Sequence, residues 1–171
     1  MQKDFSYPLK IDELGQGEQT YKLVADNDQL EFLQDILQVP AVNSFEALIK
    51  LKFYKKRGIL NVWGTVSSNI EQISVISLEP FNQLYQADFE VTYDTNATYE
   101  DIKEQDVDIM ADIPDVVMNG EINLADIAIE HLALELDDYP RKEGEEFEAV
   151  IEDMTPIRNN PFSILEQLKK K

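Results

Sequence analysis

Val42-Asn43-Ser44-Phe45-Glu46-Ala47-Leu48-Ile49-Lys50-Leu51-Lys52-Phe53-Tyr54-Lys55-Lys56-Arg57-Gly58 opens the stretch, running on to Asp94, whose reading decides the fold. Phe45, Ala47, Ile49, Leu51 and Phe53 alternate with Glu46, Lys50 and Lys52, a period of two that turns one face of a strand inward. The first strand is expected over Asn43 to Tyr54. Arg57-Gly58 ends that run, and Leu60, Val62 and Val66 repeat the spacing in a second run expected to reach Ile76, so the pair reads as a hairpin. Leu78-Glu79-Pro80 interrupts the pattern, because proline cannot donate to a ladder. Phe89, Val91 and Tyr93 then resume alternation with Asp88, Glu90 and Thr92. The expectation is a three-stranded antiparallel meander over about residues 43–94.

Outward from this core, Phe5, Tyr7, Leu9 and Ile11 alternate with Ser6 and Lys10 and suggest a short edge strand despite Pro8. Gly15 and Gly17 mark a turn, and Thr20 to Ala25 suits another strand. Whether these N-terminal strands join the meander is not fixed by alternation alone. Asp26 is a good N-cap for a helix that carries Leu30, Leu33 and Leu37 on one face, with Phe32 and Ile36 beside it, and ends before Pro40. A sheet with one apolar face needs such a cover. Asn123 is a second N-cap, with Asp126 three residues on. The Leu124, Ile127, Ala128, Leu132 and Leu136 stripe after it predicts a helix over Leu124 to Leu136, stopped by Tyr139-Pro140. The fold class is therefore α+β, a meander packed against two main helices.

The 171 residues suffice for one domain with a proper core. We read residues 1–140 as a single α+β domain that includes a mobile acidic loop over 95–120, and residues 141–171 as an acidic flexible tail ending in a short amphipathic helix. The loop reading rests on Glu100, Asp101, Glu104, Asp106, Asp108, Asp112 and Asp115 against Lys103, and the tail reading on Glu143, Glu145, Glu146 and Glu148. A net charge of -19 leaves much of the surface in mutual repulsion, which favours solubility and disfavours broad affinity for nucleic acid. The absence of cysteine excludes disulfides and thiolate metal sites. Met1-Gln2-Lys3-Asp4 has no apolar signal region, and no window approaches the roughly 18 apolar residues of a membrane span. A cytoplasmic protein with no membrane association is expected.

Little here suggests catalysis. There is no G-x-S-x-G elbow or P-loop, and Gly15-Gln16-Gly17 reads as a plain turn. His131, one turn after Ile127, reads as a helix-packing residue. Asp106, Asp108, Asp112 and Asp115 invite a calcium reading. It fails in detail, because the fifth and sixth positions counted from Asp106 hold Met110 and Ala111 where an EF-hand needs an oxygen ligand and glycine. No cofactor, metal or enzymatic activity is expected.

Basic residues are unevenly placed. Lys50, Lys52, Lys55, Lys56 and Arg57 crowd the first hairpin turn with Phe53 and Tyr54, whereas Gly58 to Pro140 holds Lys103 alone. Lys50, Lys52, Tyr54, Lys55, Lys56 and Arg57 are the candidate RNA-binding residues, cations for phosphate beside an aromatic for stacking; an ordinary solvated turn is the alternative. At the other end Asn160-Pro161 opens a short amphipathic helix with Phe162, Leu165 and Leu168 on one side, closed by Lys169, Lys170 and Lys171. Asn160, Pro161, Phe162, Leu165 and Leu168 are candidate partner-binding residues, with docking on the chain's own domain the alternative.

The order of several motifs resembles the YceD family, the large ribosomal RNA subunit accumulation proteins. The residues that carry the resemblance are Val75-Ile76-Ser77-Leu78-Glu79-Pro80-Phe81; Ile122-Asn123-Leu124-Ala125-Asp126-Ile127 leading into Glu130-His131-Leu132-Ala133-Leu134; Tyr139-Pro140; and Asn160-Pro161-Phe162 with Leu165 and Leu168. The resemblance implies a non-enzymatic role in 23S ribosomal RNA accumulation and large-subunit assembly. Expected partners are large-subunit precursor rRNA, basic ribosomal proteins, or both. An acidic adaptor for one basic ribosomal protein, with no RNA contact, is the rival. Many family members carry a cysteine where this chain has Ser74, so no thiol or zinc role is carried over.

Overall fold

A computed structural model of the chain describes residues 4–97, 114–117 and 119–146. The meander forms as β3 (Ala41–Tyr54), β4 (Ile59–Ile73) and β5 (Pro80–Asp94), all antiparallel. It is extended on one side by antiparallel β2 (Glu18–Val24) and on the other by β6 (Asp115–Val116), which runs parallel to Tyr93–Asp94; the order is β2-β3-β4-β5-β6. A separate two-stranded ladder joins β1 (Pro8–Lys10) to β7 (Glu121–Asn123). Between β2 and β3 lies α1 (Asn27–Leu37), and α2 (Leu124–Glu135) follows β7 directly.

The alternation in β3 does what it promised. Phe45, Ala47, Ile49 and Leu51 are buried, and through the ladder so are Leu60, Val62, Val66 and Ile70 of β4 and Tyr85, Ala87 and Phe89 of β5. All fall on one face, where α1 packs on β3 and α2 on β4 and β5. Polar groups inside this layer are paired: the Ser68 hydroxyl donates to the Ser44 carbonyl at 2.7 Å, and the Tyr85 hydroxyl to Gln72. Such pairing matters because an unmade buried hydrogen bond costs about 1–3 kcal/mol. The helix starts follow the sequence reading. Asp26 and Gln29 cap α1 reciprocally, and the Asn123 side-chain oxygen accepts from the Ala125 amide at 3.1 Å to start α2.

Several boundaries differ from expectation. β4 stops at Ile73 rather than Ile76, because the buried Ser74 hydroxyl accepts from the Ile76 and Ser77 amides and so bends the chain out of the ladder. β5 then begins at Pro80, opposite Ile73, well before Phe89: a proline at the first position of a strand withholds a donor that the ladder does not need. The N-terminal strand is three residues long, not seven, since Ile11 turns into a single 3-10 turn (Ile11–Glu13). Of the two N-terminal strands, β2 joins the meander and β1 does not. Within the stretch read as an acidic loop, 95–120, β6 forms and the Gly120 carbonyl accepts from the Ile11 amide at 3.0 Å; β7 follows directly after it. Residues 98–113 and 118 lie outside the described residues.

Candidate nucleic-acid interface

Burial of one sheet face leaves the other uncovered among the described residues. Along β3 its side chains are Glu46, Leu48, Lys50, Lys52 and Tyr54, the even positions that the buried odd positions leave over. Three of the six candidate cation and aromatic residues, Lys50, Lys52 and Tyr54, therefore share this face. The turn after β3 carries Lys55, Lys56 and Arg57, all exposed. It is a braced turn. The Arg57 amide donates to the Tyr54 carbonyl at 2.8 Å, and Gly58, at φ 66°, presents a carbonyl that accepts from the Thr95 amide at 2.8 Å and the Thr95 hydroxyl at 2.9 Å.

The six are not one cluster. Lys55 leans to the opposite side and lines a notch of about 310 Å³ with Phe53, Ile11, Thr95 and Asn96, whereas Lys50 lines a groove of about 510 Å³ on the uncovered face. Lys52 places its ammonium 5.1 Å from the centre of the Tyr54 ring, a cation-π distance. Lys50 pairs with Glu18 at 3.4 Å, and Lys22, its near neighbour on β2, with Glu46 at 3.0 Å. These are half-exposed pairs of the kind worth about 0–1 kcal/mol, which a phosphate can displace. Among the described residues no carboxylate stands within ion-pairing distance of Lys52, Lys55, Lys56 or Arg57.

Sequence reasoning missed three residues of this face: Trp63, Glu90 and Lys22. The signal was available for Trp63. It falls on the odd positions of β4 while Leu60, Val62 and Val66 hold the even ones, so the chain's one tryptophan had to point away from the core. The second candidate set, Asn160, Pro161, Phe162, Leu165 and Leu168, lies outside the described residues, as do Asp106, Asp108 and Asp112 of the weighed calcium site. Among the described residues no three His, Asp or Glu groups stand together as metal ligands, and no helix is long and apolar enough to cross a membrane.

His131 takes the packing role read for it. Its Nδ1 donates to the Ile127 carbonyl at 2.8 Å, and its ring stacks on Phe89 with centroids 4.8 Å apart. Next to it Tyr93 is pushed up to about 12, by burial first and then by the negative charges of Asp115 and Glu130.

At the far end of the sheet two of the motif stretches quoted above meet. The Val75 amide donates to the Pro140 carbonyl at 2.8 Å, the Ser74 hydroxyl donates to the Glu145 carboxylate, and Lys142 pairs with Glu79. Hydrogen bonds from Ser74 and then Ser77 hold the Glu145 carboxyl below its ordinary value. The family model described as large ribosomal RNA subunit accumulation protein YceD matches residues 62–169, from the middle of β4 through the joined turn and beyond. The chain belongs to the YceD family. Ser74 is buried at the centre of that joint. Comparison with curated proteins and with solved structures gave no match.

Proposed function

We propose that this YceD protein promotes the accumulation of 23S ribosomal RNA and the assembly of the large ribosomal subunit, acting in the cytoplasm and without catalysing a reaction. The observation that carries the reading is the family match over residues 62–169, whose description names accumulation of the large ribosomal RNA subunit. Direct contact with precursor rRNA runs through the braced turn at Lys55 to Arg57 and through Lys50, Lys52 and Tyr54. Among the described residues Lys52, Lys55, Lys56 and Arg57 have no carboxylate partner and Lys50 only the half-exposed Glu18, so the set supplies available cations and an aromatic ring at one end of an otherwise acidic molecule. The Phe162, Leu165 and Leu168 stripe, with Asn160-Pro161 before it, serves as a partner-docking peptide.

Replacing Lys55, Lys56 and Arg57 together with Glu is expected to weaken binding to large-subunit precursor particles by tenfold or more at low salt and to flatten the salt dependence of what remains. Unchanged binding would remove the turn from the mechanism.

A second reading is favoured by the net charge of -19: an acidic adaptor that shields one basic ribosomal protein and never touches RNA. It predicts capture of that ribosomal protein undiminished by RNase and by the triple charge reversal.

A further inference from the structure

The uncovered sheet face holds a cross-strand row that the turn alone does not explain. Thr20 of β2, Lys50 of β3, Trp63 of β4 and Glu90 of β5 stand side by side in register, all on the exposed face. With neighbouring strands roughly 4.8 Å apart, the row sets an ammonium on one side of an indole and a carboxylate on the other, about 10 Å across. Trp63, Leu48, Lys50, Thr65, Asp88 and Glu90 line the 510 Å³ groove, so the row is a concavity with an aromatic and an aliphatic wall. Toward the hairpin turn the same face continues through Lys52 and Tyr54, and the turn beyond them carries the exposed Lys55, Lys56 and Arg57. On this face the cations thus lie on β2 and β3 and at the hairpin end, on one side of Trp63, with Asp88 and Glu90 on the other.

A nucleotide has the matching polarity: a flat apolar base, phosphate at one end, and hydrogen-bond donors on the opposite edge of most bases. Asp88 is already engaged, accepting from the Thr65 hydroxyl at 2.6 Å, but the structure gives Glu90 no hydrogen bond or ion pair among the described residues. Glu90 is thus the acceptor available to a base amine. A carboxylate suits the cytosine amino group, whereas uracil presents a single N-H between two carbonyl oxygens that repel it. Duplex RNA keeps its bases stacked on one another and has no face to lay on an indole, so the occupant is single-stranded.

We infer that the outer face of the sheet binds single-stranded RNA, with a base stacked on Trp63, its amino edge toward Glu90 and its backbone passing Lys50 and Lys52 toward the hairpin turn. This rests on the reading that the protein contacts RNA and adds where a base is held and which bases are preferred.

Trp63 is the chain's one tryptophan, so its fluorescence reports the site directly in the full chain. Titration with short single-stranded oligocytidylate at low salt is expected to quench that fluorescence saturably, with oligouridylate binding several-fold more weakly. Trp63→Leu should bind oligocytidylate about tenfold more weakly, and Trp63→Phe should recover most of the loss. If either variant folds poorly, quenching in the wild type still decides the matter. Labelled RNA that binds, as read by polarisation, without quenching overturns the inference; loss of that binding on charge reversal of Lys55, Lys56 and Arg57 would leave the turn reading standing. Quenching that survives the charge reversal supports the sheet face and overturns the turn's part. Quenching by oligolysine but not by any RNA, or no RNA binding at all, overturns the inference.

Discussion

Gly64 shows how much a single residue decides here. A Cβ built on it would lie 2.3 Å from the Leu48 carbonyl oxygen and 3.0 Å from the Ile49 Cα, both backbone atoms that cannot swing aside. The absent side chain lets β3 and β4 close together in mid-strand, beside the groove that Trp63 and Lys50 line. Gly64→Ala is therefore expected to destabilise the protein by roughly 1–3 kcal/mol, the usual cost of overpacking. That lowers the melting temperature by roughly 2–4 °C per kcal/mol for a chain of this size. An unchanged melting temperature would mean that the two strands do not approach so closely. Trp63 was legible in principle from strand parity, and His131 was read correctly because an i, i+4 spacing to Ile127 puts its ring on the helix's packed side. Ser74 was not legible. A serine beside an apolar run looks solvated, and only the fold shows its hydroxyl receiving two amides and donating to a carboxylate seventy-one positions away.

At the scale of elements, the long strands and both helices follow from alternation, from a 3.6-residue apolar stripe and from N-caps, because each depends on neighbours within a few positions. What the alternation leaves open is pairing. Nothing local told β1 to leave the meander for β7, a choice set by the Asn123 side chain, which caps α2, accepts from the Tyr7 amide at 2.8 Å and donates to Ser6. The joint between residues 74–79 and 140–145 is likewise non-local, and it carries a pH signature. Its Glu145 carboxyl sits below the ordinary value of 4.5, chiefly through the Ser74 hydrogen bond, so the ionised form is favoured in the folded chain. The joint is fully stabilised above pH 4.5 and loosens as the pH falls through the lowered folded value. Amide exchange at Ile76 and Ser77, corrected for its intrinsic pH dependence, should accelerate on acidification in the wild type but not in Glu145→Ala, where it is fast throughout. Ser74→Ala removes the buried hydroxyl that accepts from the Ile76 and Ser77 amides and should cost about 1–2 kcal/mol. Equal protection in all three proteins would show that the joint is held by the backbone alone.

For the whole molecule the governing fact is asymmetry of charge. Net -19 is spread over most of the chain, and five of the fifteen cations crowd into the eight residues Lys50 to Arg57 at one end of the sheet. The sequence made the cluster visible as a run of Lys and Arg. It could not show that alternation sends Lys50 and Lys52 to the uncovered face with Tyr54 and Trp63 while Lys55 leans the other way, because that depends on which face the helices cover. Long-range attraction should set the rate at which such a surface meets RNA, and salt should weaken it steeply. The measurement that bears most directly on the ribosomal reading is a crosslinking pulldown of the tagged protein from cells at low salt, with RNA and protein partners identified in one sample. The account predicts crosslinks from the sheet face and the Lys50 to Arg57 stretch to 23S precursor RNA. Recovery of neither that RNA nor any large-subunit protein would contradict it.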